Sequence, residues 1–281
     1  MKKLLPVLLC AAMLMCLLPL EARAAAAAWD GTVDISWYDP AQTEYTIDMP
    51  AKLAGLAALV NGMADPAAKA IVGDRSYLVS KKVDNVMLVG AGGGNVFDTV
   101  YTGGVDFAYK TIYLTADLDM GGRKAADGSW TGPNWTPIGG KFPMKPQEAS
   151  GDCLTLDTRF NGVLDGQGHT IYNLYCDRCA AKGFPYSMAV GVVGFLGGNA
   201  DYANGGNGEK TEAEFKNGWQ PAVRNLVLGS GSIYGRRMVG GIVGRVGETS
   251  NGVVIENCGN RADVRNTDSK GVGGICGSAW G

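Results

Sequence analysis

The sequence predicts an all-β protein assembled from stacked, glycine-rich repeats, and three observations carry that expectation. A unit at residues 223–247, VRNLVLGSGSIYGRRMVGGIVGRVG, is written again from Ile255 as IENCGNRADVRNTDSKGVGGICGSAWG. Ile255 follows Val223 by 32 residues and Gly274 follows Gly241 by 33, a period that marks a solenoid whose units bury their apolar faces only against one another. Glycine supplies 43 of the 281 residues, about twice the usual share. Charged residues make up only 19%, and long helical periodicities are scarce, so short strands joined by tight turns are favoured.

Taken in order, the chain opens with MKKLLPVLLCAAMLMCLLPLEARA, a basic start, an apolar run and the small-residue ending Ala22-Arg23-Ala24. This is the pattern of a secretory signal peptide over residues 1–24, and Pro6 and Pro19 argue against a membrane anchor. Its removal leaves 22 basic against 26 acidic residues, a net charge of −4, with no Lys/Arg cluster to track a phosphate backbone. Nucleic acid is therefore excluded as a partner class, and the mature chain carries no apolar stretch that reads as a membrane span. Five cysteines remain in the exported chain: Cys153, Cys176, Cys179, Cys258 and Cys276. Export permits disulfides, and the odd count leaves one thiol over.

Residues 25–106 read as a capping region. Asp-Gly and Asp-Pro steps in WDGTVDISWYDPAQTEY signal turns, and Thr46 and Ile47 read as extended. Asp48 is placed to cap a helix of about 49–61, in which Leu53, Leu56, Ala57 and Val60 form one apolar stripe ended by Asn61-Gly62. A strand and helix ahead of a β-stack suit a cap over its apolar end. A variable insertion follows, with a hairpin expected around residues 77–88 and the loop GAGGGN at residues 90–95. That loop lacks the Gly-Lys-Ser/Thr of a phosphate cradle.

From Phe107 the strand signals sharpen. Thr111 to Thr115 alternates, with Ile112 and Leu114 on one face, and Val163, Ile171 and Leu174 read as inward positions of the next coil. In the coil beginning at Val223 the inward set is Val223, Leu226, Leu228, Ile233, Ile242 or Val243, and Val246. The pairs Gly240-Gly241 and Gly273-Gly274 belong where the chain bends or where stacked backbones come too close for a Cβ. An upstream echo, IYNL at Ile171 and GVVGFLG at Gly191, is stretched to 52 residues by insertions at residues 182–187 and 198–219. Loops projecting from a rigid solenoid are where binding resides, so the 198–219 loop is the first candidate contact surface for a protein or glycan. Gly281 falls inside a repeat, which is the pattern of a fragment of a longer protein.

No catalytic, cofactor-binding or metal-ligating residue is assigned. His169 is the one histidine, so a two-histidine zinc motif is impossible in these residues, and no G-x-S-x-G elbow occurs. Asp117, Asp119, Asp157 and Asp165 are the carboxylates that a polysaccharide-cleaving site would need to gather in one groove. Standing beside glycines, they read more simply as turn formers. Asn173, Asn225 and Asn257 share one position of an I-x-N-L pattern and read as a stacked amide ladder at a bend. Cys176-Asp177-Arg178-Cys179 has zinc-like spacing without a second pair, so a disulfide with Cys153 or between the neighbours is expected; Cys258 and Cys276 align with apolar residues and read as small core residues.

Several motifs in order, SWYDP, LAGLAALVNG, KTIYLTADLDMGG, WTPIGG, FNGVLDGQGHTIYNL, GGIVGRVG and GGICGSAWG, make the chain resemble bacterial surface proteins that carry GLUG motifs, repeats shared with accessory regions of the immunoglobulin A metalloprotease family. The resemblance implies a right-handed parallel β-helix over residues 107–281. The 32- or 33-residue period is compatible with this, having room for three strands of five to six residues and three turns. The expectation is a non-catalytic, secreted or cell-surface β-helical stalk or adhesin-like segment. The alternatives are a carbohydrate-active enzyme on the same scaffold and an accessory region of a surface metalloprotease.

Overall fold

A computed structural model of the protein describes residues 27–62, 81–89, 95–102, 104–143, 155–179, 188–198, 213–268 and 271–279. The chain is mostly strand, and its main sheets are parallel. The repeat is visible as one five-segment path. Ala222–Arg224, Val227–Leu228, Gly231–Gly235, Arg237–Gly240 and Val243–Val246 form the first to fifth faces of one coil. The next coil repeats the path as Val254–Glu256, Gly259–Asn260, Asp263–Asn266, Val272–Gly273 and Cys276–Ala279, and the preceding one as Val163–Asp165, Thr170–Tyr172, Leu174–Asp177, Met188–Val190 and Val193–Leu196. Each segment pairs in parallel with its equivalent in the adjoining coil.

Five short segments, rather than the expected three longer strands, arise because the chain bends so often. Asn173, Asn225 and Asn257 all adopt left-handed backbone, with φ of 56°, 53° and 52°, a conformation that asparagine tolerates better than most residues. The glycine pairs act differently, since none of Gly240, Gly241, Gly273 or Gly274 is left-handed. A Cβ on Gly241 would lie 2.2 Å from the Gly274 carbonyl oxygen, so backbones of successive coils meet where a side chain cannot fit.

Inward side chains stack in columns. Tyr45, Ile112, Leu164, Val223 and Ile255 follow one another across the first face. The register moves one expected inward position: Leu164, not Val163, is the partner of Ile112 and Val223, although Val163 is also buried. Ile171 lies beside Leu228, and Val193 and Val243 continue to Cys276. Burial fades in the last described coil, where Ile255, Val264 and Cys276 are half-buried and Val272 is 52% exposed.

At the other end, Glu44–Ile47 pairs in parallel with Thr111–Leu114, and the helix α1 (Pro50–Asn61) follows at once. Met49 is its N-cap and Pro50 its first residue; Asp48 is not the cap but pairs with Lys52 at 2.8 Å. Gly62 closes α1 with φ of 52°, its N–H donating to the Ala58 carbonyl. Burial covers Leu53 to Asn61 continuously, so the helix is enclosed rather than half-exposed. The small residues explain this: a Cβ on Gly55 would lie 1.9 Å from the Asp34 carbonyl oxygen, so the preceding segment crosses directly over the helix. Asn61 fastens its C-terminal end, donating to the Pro137 carbonyl and accepting from the Gly139 N–H and the Thr158 hydroxyl. The hairpin expected around residues 77–88 is instead the antiparallel pair Lys81–Val89 and Asn95–Thr102. Most of the glycine loop between them lies outside the described residues.

Candidate ligand-binding groove

The carboxylates singled out in the sequence are spent on bends. Asp117 accepts from the Thr170 N–H and lies 3.0 Å from His169 Nδ1. Asp119 accepts from the Gly121 N–H and the Asn173 amide, each at 2.9–3.0 Å. Asp165 accepts from the Asn225 amide, the Gln167 N–H and the Arg224 guanidinium. Burial pushes the Asp165 carboxyl up, but those hydrogen bonds and the Arg224 charge outweigh it and hold the group below its ordinary value. The side chain of Asp157 lies outside the described residues. Asp117, Asp119 and Asp165 thus serve backbone turns, each with its own partners.

The amide ladder is correct for two of its three members. Asn257 donates to the Asn225 side-chain oxygen at 2.8 Å, and Asn225 in turn donates to Asp165. Asn173 belongs to a different corner, where it shares hydrogen bonds with Ser230 and Asp119. The repeated I-x-N-L letters belong to different faces: Ile171 pairs with Leu228 on the second face, whereas Val223 pairs with Leu164 on the first, so Leu174 lies beside Gly231 and not beside Leu226 and Cys258.

Cys176 occupies the inward column of the third face with Ile233 and Val264. Cys179 lies two residues beyond the end of that strand and is also buried, and Cys153 lies outside the described residues. Cys258 and Cys276 are half-buried, and burial pushes both thiols up. Residues 180–187 and 199–212, which hold most of the two insertions, also lie outside the described residues. The remainder of the 198–219 loop is docked: Ala213 bridges to Thr249, the Trp219 indole donates to the Asn161 carbonyl, and Phe215 and Trp219 pack at 6.1 and 5.5 Å against Tyr109. Tyr109 itself is 43% exposed.

A different surface gathers chemistry. On the third face, alternate residues point outward from each coil: Tyr175 and Asp177, then Ser232 and Tyr234, then Asp263 and Arg265. Asp177, Tyr234 and Arg265 are consecutive along one column, while Tyr175, Ser232 and Asp263 form the other. The coil before them lacks a third-face strand. In its place stands a small antiparallel hairpin, Arg123–Lys124 with Trp130–Thr131, whose turn carries Asp127. Asn134 then lies against the sheet edge, accepting from the Asp177 N–H and donating to the Asp177 carbonyl, both at 2.9 Å. Trp135 adds an N–H bond to the Tyr175 carbonyl.

The hairpin makes a wall beside this face, and the space between holds about 500 Å³. Asp127, Trp130, Tyr175, Asp177, Tyr234 and Arg265 line it, with buried Ser232 at its floor. The Arg265 guanidinium lies 5.4 Å from the Tyr234 ring centre and 3.4 Å from the Ser232 hydroxyl. Asp127 accepts from the Ser129 hydroxyl and N–H, and these bonds hold its carboxyl below the ordinary value. Burial pushes the Tyr175 phenol up, helped by the neighbouring Asp177 charge. The Trp130 indole N–H is buried without a hydrogen-bond partner among the described residues, an unmade bond that costs about 1–3 kcal/mol. Aromatic walls with a few fixed polar groups are the chemistry of small-ligand recognition.

None of these lining residues was singled out as a site residue from sequence. Their signal is the period-2 alternation in LYCD, GSIYG and DVRN, which becomes informative only when the register aligns Asp177, Tyr234 and Arg265. No group of three or more possible metal ligands occurs among the described residues, and no helix among them is long and apolar enough to cross a membrane.

Against known proteins, no family model and no solved structure matches the chain. One similarity is to Halomucin from Haloquadratum walsbyi (strain DSM 16790 / HBSQ001), 33% identical over 142 residues. That match covers 47% of this chain and 1% of Halomucin, so the shared stretch is a small part of a far longer protein.

Proposed function

We propose that this chain is a non-catalytic, exported or cell-surface segment built as a right-handed parallel β-helix, and that it holds a binding face at a fixed distance, as a stalk or adhesin-like module. The observation that carries this reading is the parallel register of five successive faces at a spacing of 31–33 residues, Val223 against Ile255 among them, which makes a stiff stack. The leader-like residues 1–24, the likeness to GLUG-motif bacterial surface proteins and the partial similarity to Halomucin support a surface location. Expression of the full open reading frame, followed by fractionation and mass analysis, tests it. The mature chain should begin at Ala25 and be cleaved by protease added to intact cells. An intact chain, still carrying residues 1–24 and protected inside the cells, contradicts it.

A second reading, a carbohydrate-active enzyme on the same scaffold, is favoured by one observation: Asp127 and Asp177 line the same groove. A general acid needs a carboxyl raised toward neutrality, whereas the Ser129 hydrogen bonds hold Asp127 low. The binding reading uses both groups as hydrogen-bond acceptors and is preferred. Release of new reducing ends or unsaturated products from a polysaccharide panel would reverse that preference.

A further inference from the structure

We infer that the third-face groove binds a neutral oligosaccharide, lying across successive coils between the hairpin wall and the outward columns; this rests on the binding-face reading above. The first argument is shape. Adjacent strands of a sheet are about 4.8 Å apart and alternate residues along a strand about 6.6 Å, so Tyr175 and Tyr234, on neighbouring coils and columns, stand roughly 8 Å apart on the diagonal. Two rings at that separation offer two platforms to the apolar faces of sugar rings in one chain. Trp130 stands on the facing wall as a third aromatic surface.

The second argument is charge. Asp127 and Asp177 are carboxylates and Arg265 a cation, so hydroxyl groups that both donate and accept can satisfy all three. A polyanionic chain meets more negative than positive charge in the groove and is disfavoured. A cationic peptide finds the carboxylates but must face Arg265, which is fixed over the Tyr234 ring and against Ser232. Backbone support is already in place, because Asn134 clamps both backbone groups of Asp177 and the floor needs no rearrangement.

The test titrates the mature chain with neutral hexasaccharides of glucose, mannose, galactose and N-acetylglucosamine. Hexagalacturonate and oligolysine serve as the acidic and basic comparisons, and calorimetry with tryptophan fluorescence is the readout. At least one neutral hexasaccharide should bind at least tenfold more tightly than either charged probe. Tyr175→Ala and Tyr234→Ala should each weaken it about tenfold or more, and Trp130→Phe should remove most of the fluorescence change. Tyr172→Ala, at a 41% exposed ring on the second face, should leave affinity unchanged while circular dichroism confirms folding of every variant. Tighter binding of a charged probe, absence of neutral binding, or neutral binding indifferent to both tyrosines would overturn the inference. These outcomes leave the exported-segment reading standing, since that is decided by cell fractionation.

Discussion

Gly241 and Gly274 occupy equivalent places one coil apart, yet the same substitution should have opposite effects at the two. At Gly241 an added Cβ would lie 2.2 Å from the Gly274 carbonyl oxygen and 2.5 Å from the Asn260 side-chain carbon, far inside ordinary contact. Backbone cannot swing aside as a flexible side chain can. Relief requires the coils to separate where Gly241 N–H donates to Gly274 at 3.1 Å and Ile242 N–H to Ile275 at 3.0 Å. Overpacking of this kind costs about 1–3 kcal/mol, offset by about 0.4–1 kcal/mol from the reduced freedom of the unfolded chain. At Gly274 a Cβ meets nothing within 4 Å among the described residues and the backbone is not left-handed, so only the second effect operates. In the mature chain, Gly241→Ala should therefore lose stability while Gly274→Ala is neutral or slightly stabilised. Thermal denaturation followed by circular dichroism reads the difference, at about 2–4 °C per kcal/mol for a domain of 150–250 residues. Equal midpoints for the two variants would refute the close-approach argument.

The other expectations concern the bends and the core. Asn225→Ala should destabilise more than Asn225→Gly in urea denaturation: both remove the bonds to Asp165 and Asn257, about 1 kcal/mol each, but only alanine also resists the left-handed backbone. Because the folded Asp165 carboxyl is held below its ordinary value, its stabilisation is complete above the unfolded pKa of about 3.9 and lost as pH falls through the lower folded value. The stability advantage over Asp165→Asn should thus shrink on acidification below about pH 4, and a constant difference would rule this linkage out. Alkylation of the folded chain at neutral pH should be slow at Cys258 and Cys276, whose thiols burial pushes up, and slower still at fully buried Cys176. Rapid labelling of all three, mapped by mass spectrometry, would remove them from the core.

Much of the fold was legible because the repeat is written in the residues that build it. Val223 and Ile255 are 32 positions apart in sequence and directly paired in the sheet. The strand at Thr111–Leu114 and the helix at Pro50–Asn61 follow from simple periodicity and from the Asn61-Gly62 stop. What misled was local likeness without register. IYNL and VRNL share letters, but Ile171 lies on the second face and Val223 on the first, so Asn173 sits at another corner. The helix read as amphipathic because a Gly55 packed under the Asp34 backbone looks, in sequence, like a solvent-facing small residue. The groove was hidden for a related reason. Asp127 and Trp130 are separated from Tyr234 and Arg265 by more than a hundred positions, and only the hairpin that replaces a strand brings them together. Asp117, Asp119 and Asp165, which read as turn formers in the sequence, do accept backbone N–H groups at bends.

The stacking register underlies both the spine and the groove, and a double-cysteine test addresses it most directly. Tyr234 and Arg265 are paired neighbours on adjoining coils, both outward, with Cα atoms expected about 4.8 Å apart, inside the range a disulfide spans. Mild oxidation of the Tyr234→Cys/Arg265→Cys chain should give that cross-link, identified by peptide mapping, while Tyr234→Cys/Val264→Cys, with the second position turned inward, should not. A link at 234–264 with none at 234–265 would contradict the account.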